Sequence, residues 1–122
     1  MMERPENVIV VKTELFADRI TKMCKYLSKK NNDDRDALKQ IYRSGTSIGA
    51  NTAESQYAQS RADFLTKLTI ALKEANETHF WLRRLFVGQS LTEKEFDSMN
   101  NDCEEIIKIL TSITKTVKNN SN

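Results

Sequence analysis

The chain has 122 residues, enough for one domain that buries roughly two-thirds of its unfolded surface. Hydrophobic residues make up 39% and charged residues 30%, with three Gly and one Pro, a composition normal for a helical protein and too poor in turn residues for a turn-rich sheet. Nineteen basic and 17 acidic side chains leave a net charge of +2, which neither demands nor excludes a nucleic-acid partner, because a local patch can outweigh the total.

No apolar run reaches the length of a membrane span, and the first residues lack a secretory signal pattern, so a cytoplasmic protein with no membrane partner is expected. Cys24 and Cys103 both fall on apolar helical positions, which predicts buried free thiols.

Residues 1–12 hold one apolar run, Val8-Ile9-Val10-Val11, after Pro5. All four are β-branched, which predicts an extended arm, either covering the end of its own bundle or lying on a neighbouring subunit. Thr13 is placed to cap a first helix whose seam is Phe16, Ile20, Met23 and Leu27. Lys29 and Lys30 close it, favourably for the helix dipole. Asn31 to Asp34 make the connection, with Asp33 or Asp34 as the next cap.

The second helix is predicted from about Asp34 to Tyr57. Leu38, Ile41 and Ile48 form its seam, but its middle is small or polar. Gly45 and Gly49 each cost up to about 1 kcal/mol against Ala in a helix interior. They are four apart on one face, which fits close approach of another helix backbone or, alternatively, a small-residue platform for a phosphate. No P-loop ending is present.

The central helix, Ser60 to Phe86, organises the rest. Leu65, Leu68, Leu72, Ala75, His79, Leu82 and Phe86 recur in alternating steps of three and four. A second row, Phe64, Ala71, Thr78 and Leu85, widens the stripe. Ser60-x-x-Asp63 opens it like a capping box, and Gly88 lies where a left-handed cap would sit. Thr92-x-x-Glu95 opens the last helix, whose seam is Phe96, Met99, Cys103, Ile106, Leu110, Ile113 and Val117. Four amphipathic helices with short connections predict an all-α, antiparallel up-down-up-down four-helix bundle over residues 13–118, with a frayed tail at 119–122.

His79, the only histidine, reads as a core imidazole bonded to a neighbour. Paired Glu-x-x-His motifs are missing, so no metal or other cofactor is expected. Glu74 and Glu77 are best explained as partners of Arg43 across the second and third helices, and no Ser-His-Asp or Cys-His set is evident, so no enzyme is expected. Phe80 and Trp81 pack on the first or fourth helix, or form a subunit contact. One end of the bundle collects Lys25, Lys29, Lys30, Arg35, Lys39, Arg43, Arg83 and Arg84, interrupted by Asp33, Asp34 and Asp36. Lys29, Lys30, Arg35, Lys39, Arg83 and Arg84 are the candidate nucleic-acid contacts, acting on phosphates.

Arg43-Ser44-x-x-Ser47-Ile48-x-x-Asn51-x-Ala53-Glu54, then Ser60-x-x-x-Phe64, then Ala71-x-x-Glu74-x-x-Glu77 and Trp81-Leu82, resemble the bacterial four-helix-bundle proteins related to those encoded in 23S rRNA intervening sequences. Ser55 departs from the Gly many members carry after the glutamate. The resemblance implies a left-handed bundle assembled as a homo-oligomeric ring, a pentamer in several members. Arg43, Ser47, Asn51, Glu74, Glu77, His79 and Trp81 are the candidate structural or interface positions. Related bundles serve diversity-generating retroelements and handle nucleic acid. Two function classes follow: an RNA- or DNA-binding accessory protein, or a self-associating scaffold that binds no nucleic acid.

Overall fold

A computed structural model describes residues 5–30 and 33–120, and four helices account for nearly all of them: α1 (Pro5–Lys30), α2 (Arg35–Ser55), α3 (Arg61–Val87) and α4 (Glu93–Asn119). Among the described residues there is no strand. Each helix packs on its neighbours in the chain, α1 and α4 close the ring, and the two diagonal pairs do not approach. Along each packed pair the numbering runs in opposite senses. Lys12 reaches Glu105 while Arg19 reaches Asp102, and Arg43 reaches Glu77 while Glu54 reaches Lys67.

The first helix corrects the expected extended arm. From Pro5 on the segment is helical, Ile9 is fully buried, and the Thr13 hydroxyl donates to the Ile9 carbonyl at 2.8 Å instead of capping. Pro5 suits a first helical position, whose N–H would be unbonded in any case. Packing overrides the β-branched preference here, because Ile9 and Thr13 stand seven residues before Phe16 and Ile20 and prolong both rows of the same seam. Met1 to Arg4 of that arm, Asn31 and Asn32 of the first connection, and Ser121 and Asn122 of the tail lie outside the described residues. Asn119 ends α4 and is helical.

The α3 seam is rotated from the expected one. Leu68, Ala71, Ala75, Thr78, Leu82 and Leu85 are buried, whereas Leu65, Leu72, His79 and Phe86 are only half-buried. The stripe therefore interleaves alternate members of the first predicted row, Leu68, Ala75 and Leu82, with Ala71, Thr78 and Leu85 of the second. The α4 seam agrees with its pattern from Phe96 to Ile113. The core joins these rows to Phe16, Ile20, Leu27, Ile41 and Ile48.

Gly45 and Gly49 face α1. A Cβ on Gly45 would stand 2.8 Å from a side-chain carbon of Ile20, and one on Gly49 would stand 3.1 Å from the Thr13 carbonyl oxygen. The two glycines let α1 and α2 approach closely.

The helix ends show which caps the sequence encodes. The Thr92 hydroxyl accepts from the Glu95 amide and Glu95 accepts from the Thr92 amide, a reciprocal capping box. Ser60 accepts from the Asp63 amide, but the Asp63 carboxylate takes the Gln59 amide one residue earlier. Asp34 precedes α2 without a side-chain cap, its carboxylate accepting instead from the Ser90 hydroxyl across the end of the bundle. At the end of α3 the left-handed residue is Gln89, with φ 68°, not Gly88, with φ −76°. The Gln89 and Ser90 amides donate to the Phe86 and Leu85 carbonyls, which is a Schellman pattern. The space at Gly88 is tight: a Cβ there would stand 3.1 Å from the Arg84 carbonyl oxygen and 3.2 Å from the Asp34 carboxylate.

Candidate nucleic-acid interface

Between α1 and α2 runs an open groove of about 470 Å³ lined by Thr21, Cys24, Lys25, Ser28, Arg35, Leu38, Lys39 and Tyr42. Both walls have helical logic, since Thr21, Lys25 and Ser28, and likewise Arg35, Lys39 and Tyr42, lie at i, i+4 and i+7. Leu38 is buried and Cys24 half-buried between them. Burial pushes the Cys24 thiol up to about 11.

The structure thus brings Lys25, Arg35 and Lys39 together. Lys29, Lys30, Arg83 and Arg84 are exposed but do not line this groove. Lys30 sits over the Tyr26 ring, 5.0 Å from its centroid, and Arg84 over Phe80 at 5.3 Å. None of these seven cations makes an ion pair among the described residues, whereas Lys12, Arg19, Arg43 and Lys67 are each held by a carboxylate. Asp36, in the first turn of α2, is also exposed and keeps this end of the bundle mixed in charge.

A separate polar cluster ties α2 to α3. Arg43 donates to Glu74 at 3.1 Å and to Glu77, and the Trp81 indole N–H donates to the same Glu77 oxygen at 3.1 Å. Beneath them the buried hydroxyls of Ser44 and Thr78 lie 2.9 Å apart, and Thr78 donates to the Glu74 carbonyl. Asn51 donates to the Ser47 carbonyl within α2. On the far side of α3, His79 Nδ1 lies 2.6 Å from Asn100 Oδ1. The Asn100 amide donates to Glu104, so its oxygen is the acceptor and His79 carries its proton on Nδ1. His79 is half-buried rather than a core residue.

The sequence profile of the 23S rRNA-intervening sequence protein family matches residues 6–112. The chain belongs to that family. It is also similar to a protein of unknown function from the S23 ribosomal protein family of Bacteroides thetaiotaomicron, whose crystal structure has been solved. Identity is 48% over 92% of this chain and 99% of that one, with a TM-score of 0.83. No curated protein matches.

The motif residues quoted from the sequence concentrate in the α2–α3 contact. Arg43, Ser44, Glu74, Glu77 and Trp81 bond to one another or share a partner, and Ile48 and Ala71 are fully buried. The α1–α2 groove is built from other positions. Sequence reasoning assigned Arg35 and Lys39 but passed over Tyr42, Leu38 and Cys24 as site residues. The signal available was the face repeat Arg35, Lys39, Tyr42, which closes a polar stripe with an aromatic.

Among the described residues, no group of three or more His, Cys, Asp or Glu side chains is arranged to hold a metal ion, and no helix is long and apolar enough to cross a membrane.

Proposed function

We propose that this protein is a non-enzymatic, homo-oligomeric bundle that binds nucleic acid, RNA foremost, through phosphate contacts. The observation that carries the reading is a convergence of cations: Lys25, Arg35 and Lys39 line one groove that no acidic side chain lines, and none of the three is held by a carboxylate as Lys12, Arg19, Arg43 and Lys67 are. Free ammonium and guanidinium groups on a ridged surface are what phosphate binding needs. The opposed numbering of every packed helix pair supports an antiparallel up-down-up-down arrangement. Its left-handed twist and a five-membered ring rest on family resemblance.

Repetition around a ring would raise the effective concentration of each weak contact. The test is RNA and DNA binding by the wild type and by an Arg35/Lys39/Arg83/Arg84→Ala variant across a salt series. The wild type binds at low salt with a steep salt slope, and the variant binds more weakly with a shallower one. A wild type that binds neither polymer at low salt overturns the reading.

The second reading, a scaffold without nucleic acid, is favoured by exposed apolar side chains: Phe80 on α3, beside Trp81 at 5.0 Å between ring centroids, and Val11 and Leu15 on α1. Light scattering of the purified protein separates self-association from a monomer of 14.1 kDa. A mass near the monomer at micromolar concentration removes the oligomer from both readings.

A further inference from the structure

The α1–α2 groove has a chemistry that plain phosphate binding does not call for. Of its eight lining residues, three are cationic and none is acidic. Its floor is apolar, made by Leu38 and the un-ionised Cys24, and its rim carries Tyr42, 49% exposed. The volume, about 470 Å³, falls in the usual range for small-ligand sites, about 300–1,000 Å³. A surface made only for duplex would need cations and no apolar floor, because a duplex turns its phosphates outward and hides its bases. Unpaired nucleotides offer a flat face for an aromatic ring beside their phosphates.

The groove between α1 and α4 also has cations, an apolar floor and an exposed tyrosine, Tyr26, but Lys30 already lies over that ring, 5.0 Å from its centroid. Glu95 lines that groove, and its Arg19 is already bonded to Asp102 and to the Ser98 hydroxyl.

We propose that the α1–α2 groove takes an unpaired base of a single-stranded nucleic acid, stacked on Tyr42, with the flanking phosphates held by Lys25, Arg35 and Lys39. This rests on the nucleic-acid reading above and narrows it to single strands. The base supplies the apolar contact with Leu38 and Cys24, and the cations on both walls track the backbone to either side. Stacking has little sequence preference, so the site discriminates strandedness more than sequence.

The experiment compares a labelled uridine oligomer of about 15 nucleotides with a labelled duplex of similar length, by fluorescence anisotropy on the full chain. The wild type prefers the single strand. Tyr42→Ala loses roughly 5- to 150-fold in single-strand affinity and leaves duplex affinity unchanged. Arg35→Ala/Lys39→Ala weakens both, and its single-strand salt slope falls by roughly 1.4. A wild-type footprint needs no variant: a saturating single strand slows alkylation of Cys24, in the floor, and leaves Cys103, in the core, unchanged. Circular dichroism checks that each variant folds, and Tyr42→Leu, which keeps apolar bulk without an aromatic face, repeats the test.

If Tyr42→Ala and Tyr42→Leu bind like the wild type, if Cys24 is not protected, or if duplex is preferred, the groove proposal is wrong while the nucleic-acid reading stands. If the wild type binds neither form, both fall together.

Discussion

Across α2 and α3, Arg43 meets Glu74 and Glu77 beside a half-buried Trp81, over a layer where Ser44 and Thr78 touch. Across α1 and α4, Arg19 meets Asp102 at 2.6 Å and Lys12 meets Glu105, with both partners of each pair substantially open to water. The bonds are of one kind, but their surroundings differ. Glu74 is 9% exposed, so removing it changes a desolvated group and its neighbours; Asp102 exchanges one solvated state for another. The first seam is closed and specific in register. The second is bridged at the surface and flanked by grooves. A third contact is of another kind: Gly45 and Gly49 let α1 press onto α2.

The largest effect is expected where α1 presses onto α2, the helix that also carries Arg43. Gly45→Leu forces a side chain into Ile20 and should cost about 3 kcal/mol in urea unfolding. Next, Glu74→Ala should cost about 1–3 kcal/mol, since it removes hydrogen-bonded charge from a nearly buried position. Asp102→Ala should cost under about 1 kcal/mol, and less still at high salt. Equal costs for these two would erase the distinction between the seams.

A smaller effect is expected at the α3–α4 turn, where Gln89 holds φ 68°. Gln89→Gly should gain about 0.5–1 kcal/mol, seen as a higher unfolding midpoint. The smallest effect concerns the thiols. Burial raises Cys24 to about 11 and Cys103, aided by Glu104 and Asp102, to about 12, from the ordinary 9. The folded state therefore favours the neutral thiols. Their contribution is fully present below pH 9 and is lost as pH rises through 11 and 12. At pH 8 both react slowly with a thiol reagent, and Cys24, at the groove, reacts before Cys103. The reverse order would show that the groove is shut and the core open.

How much of this was legible beforehand differs by element. Seven apolar positions of α4 kept one period and all point inward or nearly so, because nothing competes with them. In α3 two apolar rows ran side by side, and apolarity alone could not say which residues of each would face inward; Ala71, Ala75 and Thr78 won over Leu65, Leu72 and Phe86 by being small enough for close helix contact. At the N-terminus, four β-branched residues outweighed a seven-residue repeat that in fact continued through Ile9 and Thr13. Arg43 was paired with Glu74 and Glu77 from topology alone, and the structure places them together. The groove was half legible: Arg35 and Lys39 stood out by charge, but Tyr42 could be recognised as their neighbour only on a helical face. Arg83 and Arg84 stand apart from them because the groove lies between α1 and α2, and α3, which carries them, does not approach α1.

The ring of contacts, in which α1 touches α2, α2 touches α3, α3 touches α4 and only α1–α4 joins distant parts of the chain, also bears on kinetics. Three of the four interfaces form between consecutive helices, so little loop entropy is spent before contacts reward it, and folding should be fast for a chain of this length. Closing α1 on α4 is the one step that must bring the two ends of the chain together. If that seam forms after the rate-limiting barrier, substitutions at Arg19 or Asp102 will speed unfolding and leave the folding rate alone, whereas damage at Gly45 will slow folding itself.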